Sequence, residues 1–550
     1  TSGAGQDRVI LGGGSDTAEL GDGDNRVLGD AGENDWTGDD VLTTTTPEEG
    51  GVDTITTGAG QDMIAGGQDG DEIDAGNGDN TVLGDQGVIT LAGRVVRAVS
   101  EDTVNGGADT ITTGTGRDVI LGGLAGDTIA SGDGDDAILG DLGRVSDAGT
   151  GTGRMQTLVG EPAGGHDVIA SGAGDDMILG GQGNDTLDTG TGEDLAFGDG
   201  GVVTFTGTAD IVTLLMTDEA RGGNDRITSR GATGDDILLG QAGDDRIVAA
   251  GADDLIVGDI ARIVLSNPAG ALANQSAADR LTRMTGVMID IGGNDTIFGG
   301  NGFDIVLGGF GDDVIHGQGG QDILIGDTAI LTRQWSARAD GSVAERMTID
   351  TNFAFITGGY DQIHGDAGPD IMIGNLGPDL FFGDTASDLI FSDGYAGIFK
   401  AVFPLGFGDI SMTQRFLYTS NFAGPGALDV VSEAQQDASI GANLNYYPEE
   451  PTRPERDRFG TLDGMSMDEI WQAVVNALDD PALLRSLAVL IQSGADVTLI
   501  AESLFSSLVE AGLLSGNLPP TVLEALIERL LAVIEAKQAV AEAQLPIAAE

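Results

Sequence analysis

The chain has 550 residues, 92 of them glycine, and 89 acidic against 25 basic side chains leave a formal net charge of -64. With only two lysines, Lys400 and Lys537, it lacks the basic surface that nucleic acid or bare anionic lipid requires. The absence of cysteine excludes disulfides, thiolate metal sites and cysteine nucleophiles.

No run of about 18 uncharged apolar residues exists to span a bilayer as a helix. Still, 40% of the residues are hydrophobic, so there is apolar surface to bury. From the first residue the chain is periodic, and the carboxylates carry the period. Asp7 and Asp16 are nine residues apart and are followed by Asn25. The same spacing runs through Asp53, Asp62, Asp71 and Asn80, then Asp109, Asp118, Asp127 and Asp136, then Asp167, Asp176, Asp185 and Asp194. After a block with a two-residue slip (Asp225, Asp236, Asp245, Asp254) it resumes at Asp295, Asp304, Asp313 and Asp322. It ends with Asp361, Asp370, Asp379 and Asp388. Around each lies G-x-D-x-U, with U apolar, as in Gly172-Ala173-Gly174-Asp175-Asp176-Met177-Ile178.

Glycines allow the backbone to take positive φ in a tight turn, aspartate adds a hard anionic oxygen, and x-U-x is a short strand with its middle residue inward. This spelling resembles the RTX (haemolysin-type calcium-binding) nonapeptide. The resemblance covers roughly residues 1–395 and implies a mainly β fold, a parallel β-roll solenoid with calcium sandwiched between successive turns. Carried over position by position, it makes each ladder aspartate from Asp7 to Asp379 a metal ligand. Asp388, the slipped Asp236 and the block ends are the positions expected to be empty.

A longer period overlies the first. Groups of four nonapeptides close on Gly-Asp at Asp30, Asp85, Asp141, Asp199, Asp259 and Asp327, and reopen on Gly-Gly-x-Asp at Gly50, Gly106, Gly164, Gly222, Gly292 and Gly358. The super-repeat is 55 to 68 residues long. The first group lacks its opening nonapeptide, so the array is expected to start upstream of Thr1. Inserts separate the groups. Residues 88–99 and 202–215 read as hairpins, whereas the inserts near 261–291 and 328–357 are longer and expected to be partly irregular. They hold many of the scarce arginines, and regularly spaced inserts on a solenoid tend to share one face.

Residues 396–462, with aromatic patches and a Pro-rich stretch, read as an irregular cap and linker. Residues 463–550 turn to helical periodicity. Ser466 and Thr521 open capping boxes, Asp480-Pro481 is an N-cap, and Leu523, Leu526, Ile527 and Leu530 make an apolar face, so an α-helical C-terminal domain is expected. It would be a bundle, a docking module or part of an uncleaved export signal.

No HExxH, GxSxG or P-loop spelling is present, and the carboxylates form a ladder in which no acid/base pair stands out, so no enzyme is expected. His316 and His364 fall at equivalent repeat positions and read as decoration of the roll, not as a zinc site. The resemblance implies type I secretion from a bacterium, with an unfolded chain that folds on meeting calcium outside. The functional expectation is a secreted or cell-surface structural or adhesive scaffold, with contacts to other copies or a cell-surface partner made through the inserts or the helical end. The alternative is an accessory calcium-folding module of a secreted enzyme or toxin. The outward positions Gln6, Arg8, Ser15, Thr17 and Glu19 show no regular threonine ladder, which argues against an ice-binding face.

Overall fold

The computed structural model describes residues 1–35, 40–45, 50–92, 95–100, 105–146, 152–158, 164–206, 210–216, 222–265, 281–286, 292–337, 343–350, 359–375, 379–383, 388–391, 400–405 and 430–431. The expected C-terminal helices lie outside the described residues. So do most of residues 396–462, apart from two strands described below.

Each nonapeptide places one short strand, most often of three residues, after its aspartate, and successive strands alternate between two parallel sheets of 14 strands each. Thr110–Thr112 lies in one sheet, Val119–Gly123 in the other and Thr128–Ala130 back in the first, so two nonapeptides make one coil. Coils stack in register: Ile111 pairs with Ile129 and Ile129 with Ile169, while across the roll Ile120 pairs with Ile138 and Ile138 with Ile178. The middle residues of both sheets point at each other and form a continuous inner core, in which Ile111, Ile120, Ile138 and Ile178 are fully buried. Burying one such side chain is worth about 1.5–3 kcal/mol, and the column continues through every described coil.

The inserts build a third layer. In all six the described arms pair as hairpins. In the two longer ones Ala261–Leu265 pairs with Leu281–Gly286, and Ile330–Ala337 with Val343–Asp350, while the stretches expected to be irregular lie outside the described residues. Each hairpin also pairs antiparallel with the next, through Ile89 and Leu42, Ala98 and Val145, Met155 and Val203, and Met284 and Leu331. Pairing satisfies strand edges that would otherwise stay open. The result is one 13-stranded antiparallel sheet running the length of the roll, closed by Lys400–Leu405. Val430–Val431 likewise adds a strand to a roll sheet beyond residue 395.

Residues of the hairpin row, among them Leu42, Ile89, Ala98, Val145, Met155 and Val203, pack on the outer face of one roll sheet and form a second, outer core with Leu121, Leu139, Leu179 and Phe197. From Arg26–Leu28 onward that roll sheet is therefore covered on both faces, and most of its strands are apolar throughout, as in Val119–Gly123 and Met177–Leu179. The other roll sheet is open to solvent, and its strands flank one buried residue with two exposed ones, as in Thr110–Thr112 and Glu72–Asp74. Its threonine pairs at Thr54/Thr56 and Thr110/Thr112 are interrupted by Glu72 and Asp74, so no uninterrupted threonine array forms.

Candidate metal centres

Because a nonapeptide is half a coil, the ladder divides into two rows, one along each turn edge. In the first row the backbone N–H of each residue donates to Oδ1 of the next: Asp71 to Asp109 (2.6 Å), Asp109 to Asp127 (2.8 Å), Asp127 to Asp167 (2.7 Å) and Asp167 to Asp185 (2.8 Å). This row runs from Asp16 through Asp53 and onward through Asp225, Asp245, Asp295, Asp313 and Asp361 to Asp379. The second row runs in the same way from Asp7 through Asn25, Asp62, Asn80, Asp118, Asp136, Asp176 and Asp194. It continues through Asp236, Asp254, Asp304, Asp322 and Asp370 to Asp388. All 25 aspartates singled out by the spacing, Asp388 among them, stand in one row or the other. The slip before Asp236 is absorbed in its turn: Asp194 N–H reaches Asp236 Oδ1 at 2.9 Å, and Asp236 N–H reaches Asp254 Oδ1 at 2.8 Å.

One oxygen of each carboxylate is thus used by the fold. The other, Oδ2, is buried without a hydrogen-bond partner at 20 ladder aspartates, from Asp53 to Asp370. Burying so many unpaired acceptors costs too much unless something else binds them. Glycine carbonyls face the same space. A Cβ on Gly84 would collide with Oδ2 of Asp109 and the carbonyl of Gly122, and one on Gly122 would collide with Oδ2 of Asp127 and the carbonyl of Gly140. Hard oxygens converging on a gap kept open by glycine are the donor set that calcium takes.

The protonation equilibria agree. Burial, then the neighbouring carboxylates Asp109 and Asp167, push Asp127 up to about 11. Burial, then Asp85, push Asp109 to about 9, and burial pushes Asp71 to about 8 even though it accepts the Asp53 N–H. In the second row Asp118 and Asp176 rise to about 7, again through burial, with partial relief from hydrogen bonds. Without a cation these rows cannot all ionise at neutral pH. A calcium ion, when bound, supplies the positive charge that lets them do so.

The two edges differ in their glycines. First-row turns open on Gly84, Gly122, Gly140 or Gly180, whereas second-row turns in the same region open on Thr113, Ser131, Ser171 or Thr189. There the hydroxyls form their own ladder: Thr113 Oγ1 donates to the Ser131 carbonyl (2.6 Å), Ser131 Oγ to the Ser171 carbonyl (2.8 Å) and Ser171 Oγ to the Thr189 carbonyl (2.7 Å).

Residue spacing had marked the closing aspartates without giving them a role. Each sits where a hairpin interrupts a first-row turn. Asp85 accepts Gly107 N–H (3.0 Å) and Leu124 N–H (2.5 Å), and Asp199 accepts Gly223 N–H (3.0 Å) and Ala242 N–H (2.9 Å). Asp141 and Asp259 make the same pair of contacts, with Gly165 and Gln182 and with Gly293 and Phe310. These carboxylates peg each insert to the roll, replacing the backbone bonds of the missing turn. The available signal was their coincidence with the Gly-Gly-x-Asp that reopens each group.

Compared with known families, the chain matches the model of the RTX calcium-binding nonapeptide repeat (4 copies) over residues 1–35, 49–87, 103–138, 163–201, 230–260, 291–324 and 357–394. Those repeats bind calcium, and the matched segments contain the ladder positions between Asp7 and Asp388 apart from Asp225. No curated protein matches the chain.

Proposed function

Because this chain is an RTX repeat protein whose nonapeptides bind calcium, we propose that it serves as a non-enzymatic extracellular scaffold, a rod that folds on calcium and makes its contacts along the hairpin sheet. RTX repeat proteins are typically secreted by bacteria. The observation that carries the reading is the 13-stranded hairpin sheet. An accessory folding module needs only a few nonapeptides, and nothing in calcium-driven folding calls for a third layer along the whole roll.

The surface of that layer supports the same reading. Register places Arg97 opposite Ser146, and Ser146 opposite Arg154, in one row, with Arg144 in the row beside it. Burial, then the nearby guanidiniums of Arg154 and Arg97, hold Arg144 below the usual arginine range. A basic cluster on one face of a chain with net charge -64 is complementary to the rest of another copy.

For a site with Kd near 10⁻⁴ M in roughly millimolar calcium, linkage contributes about 1–2 kcal/mol. Repeated along both rows, such a term separates a cell interior poor in calcium from an exterior rich in it. Far-UV circular dichroism and sedimentation velocity in EDTA, then in several millimolar calcium with magnesium as control, test the proposal. Calcium alone is expected to convert coil to β-structure and to produce dimers or larger species. A folded chain that stays monomeric at every concentration would favour the accessory-module alternative.

A further inference from the structure

A column of four rings stands on the solvent face of the open sheet, in its C-terminal part. Phe298, His316, His364 and Phe382 share one register position on the adjacent strands Thr296–Gly302, Val314–Gly320, Gln362–His364 and Leu380–Phe382. Their ring centroids are 4.9, 4.2 and 4.2 Å apart, and neighbouring rings are nearly parallel. Beside them, Asp366 brings its Oδ2 to 3.2 Å from Nδ1 of His316. One ligand atom each from His316, His364 and Asp366 lies within 4.8 Å of the others, and all three residues are half-buried. Asp366 holds a φ of 59° at a turn position that other coils give to Gly132 (φ 96°) and Gly172 (φ 101°).

We propose that His316, His364 and Asp366 form a binding site for a borderline-soft dication, zinc above all, separate from the calcium rows. Imidazole nitrogen suits zinc, copper or nickel, whereas calcium takes oxygen, so the cluster is chemically distinct from the carboxylate ladder. Two histidines and a carboxylate are a three-ligand zinc set with the fourth position left to water. Zinc–ligand distances of about 2.0–2.2 Å place tetrahedral donors roughly 3.4 Å apart. Rotation of the three side chains closes the remaining gap, and the solvent side gives them room to turn. Phe298 and Phe382 bracket the histidines from both ends of the column and hold the rings side by side. His316 and His364 belong to coils on either side of the last insert, so the ion would staple two super-repeats across it.

The test uses the full chain folded in several millimolar calcium. It has three histidines, so histidine-selective ¹⁵N labelling gives one imidazole outside the cluster, His166, as an internal control. Zinc titration is expected to move the His316 and His364 signals at one equivalent and leave His166 in place. In calorimetry His316→Asn and His364→Gln should each weaken this site at least tenfold, and excess calcium should not displace the zinc. Circular dichroism in calcium checks that the variants fold, and if one does not, the wild-type imidazole signals decide. Equal response of all three histidines, unchanged affinity in both variants, or displacement by calcium would each place the metal on the general carboxylate surface and overturn the proposal.

Discussion

The described residues form two hydrophobic cores made by different means. The inner core lies between the two roll sheets, flanked on both edges by rows of buried aspartates, so it closes only when those carboxylates are neutralised. The outer core, between the covered sheet and the hairpins, is an ordinary sandwich with no ladder carboxylate in it. Yet the outer core has no independent existence, because one of its faces is the back of the covered sheet. The dependence of the outer core on the inner one means that a cation bound at the turns holds a layer it never touches.

The largest effect that tests this dependence comes from replacing calcium by protons. The ladder aspartates from Asp53 to Asp370 have folded-state values above the ordinary 3.8, pushed up chiefly by burial, to about 6 at Asp53 and about 11 at Asp127. A raised carboxylate binds more protons folded than unfolded, so it favours the metal-free fold fully below the ordinary value and loses that effect as pH rises through the folded one. In EDTA, lowering the pH from 8 to 4 is therefore expected to restore β-structure, and the amides of both cores should gain protection together in hydrogen exchange. In excess calcium the sign reverses, since protons compete with the ion. If the hairpin amides stay protected in EDTA at pH 8, the outer core stands alone and the comparison fails.

A smaller effect separates the cores by substitution. Ile178→Ala opens the inner core and Met155→Ala the outer, each at a fully buried site, and each is expected to cost about 2–5 kcal/mol. Only the inner change should raise the calcium concentration needed for half-folding by a large factor, because Ile178 pairs within the roll that calcium assembles. Calcium titrations followed by circular dichroism check this, and equal midpoints for the two variants would contradict it.

The smallest effect concerns the peg between the layers. Asp85→Asn turns one acceptor into an amide group facing a backbone N–H, with an expected loss of about 1–3 kcal/mol. Thermal unfolding in calcium measures the loss, and faster exchange at Gly107 and Leu124 should accompany it.

The repeat of nine, the aspartate ladder and, through its resemblance to the RTX nonapeptide, calcium as its ion were legible in residue order, whereas the division of the ladder into two rows came with the coil. Each turn must supply its own glycines and its own aspartate, so a local requirement is written at every copy, from Asp7 to Asp379. The hairpins at 88–99 and 202–215 were legible for the same reason, since both arms and the turn lie within a short stretch. The pairing of one hairpin with the next was not. It consists of backbone hydrogen bonds between segments from successive super-repeats, as at Arg97 and Ser146, and backbone bonds need no particular side chain. One trace was present: Val119-Ile120-Leu121 is apolar throughout where Thr110-Ile111-Thr112 is not, and this contrast marks the sheet that a further layer covers. The ring column behaves likewise. Spacing shows that His316 and His364 are equivalent, but only the stacking of coils, which carries Asp366 to the side of His316, makes a cluster of them. Residue order specified what each turn needs within itself; contacts between turns far apart in the chain were settled when the coils stacked and each insert found its neighbour.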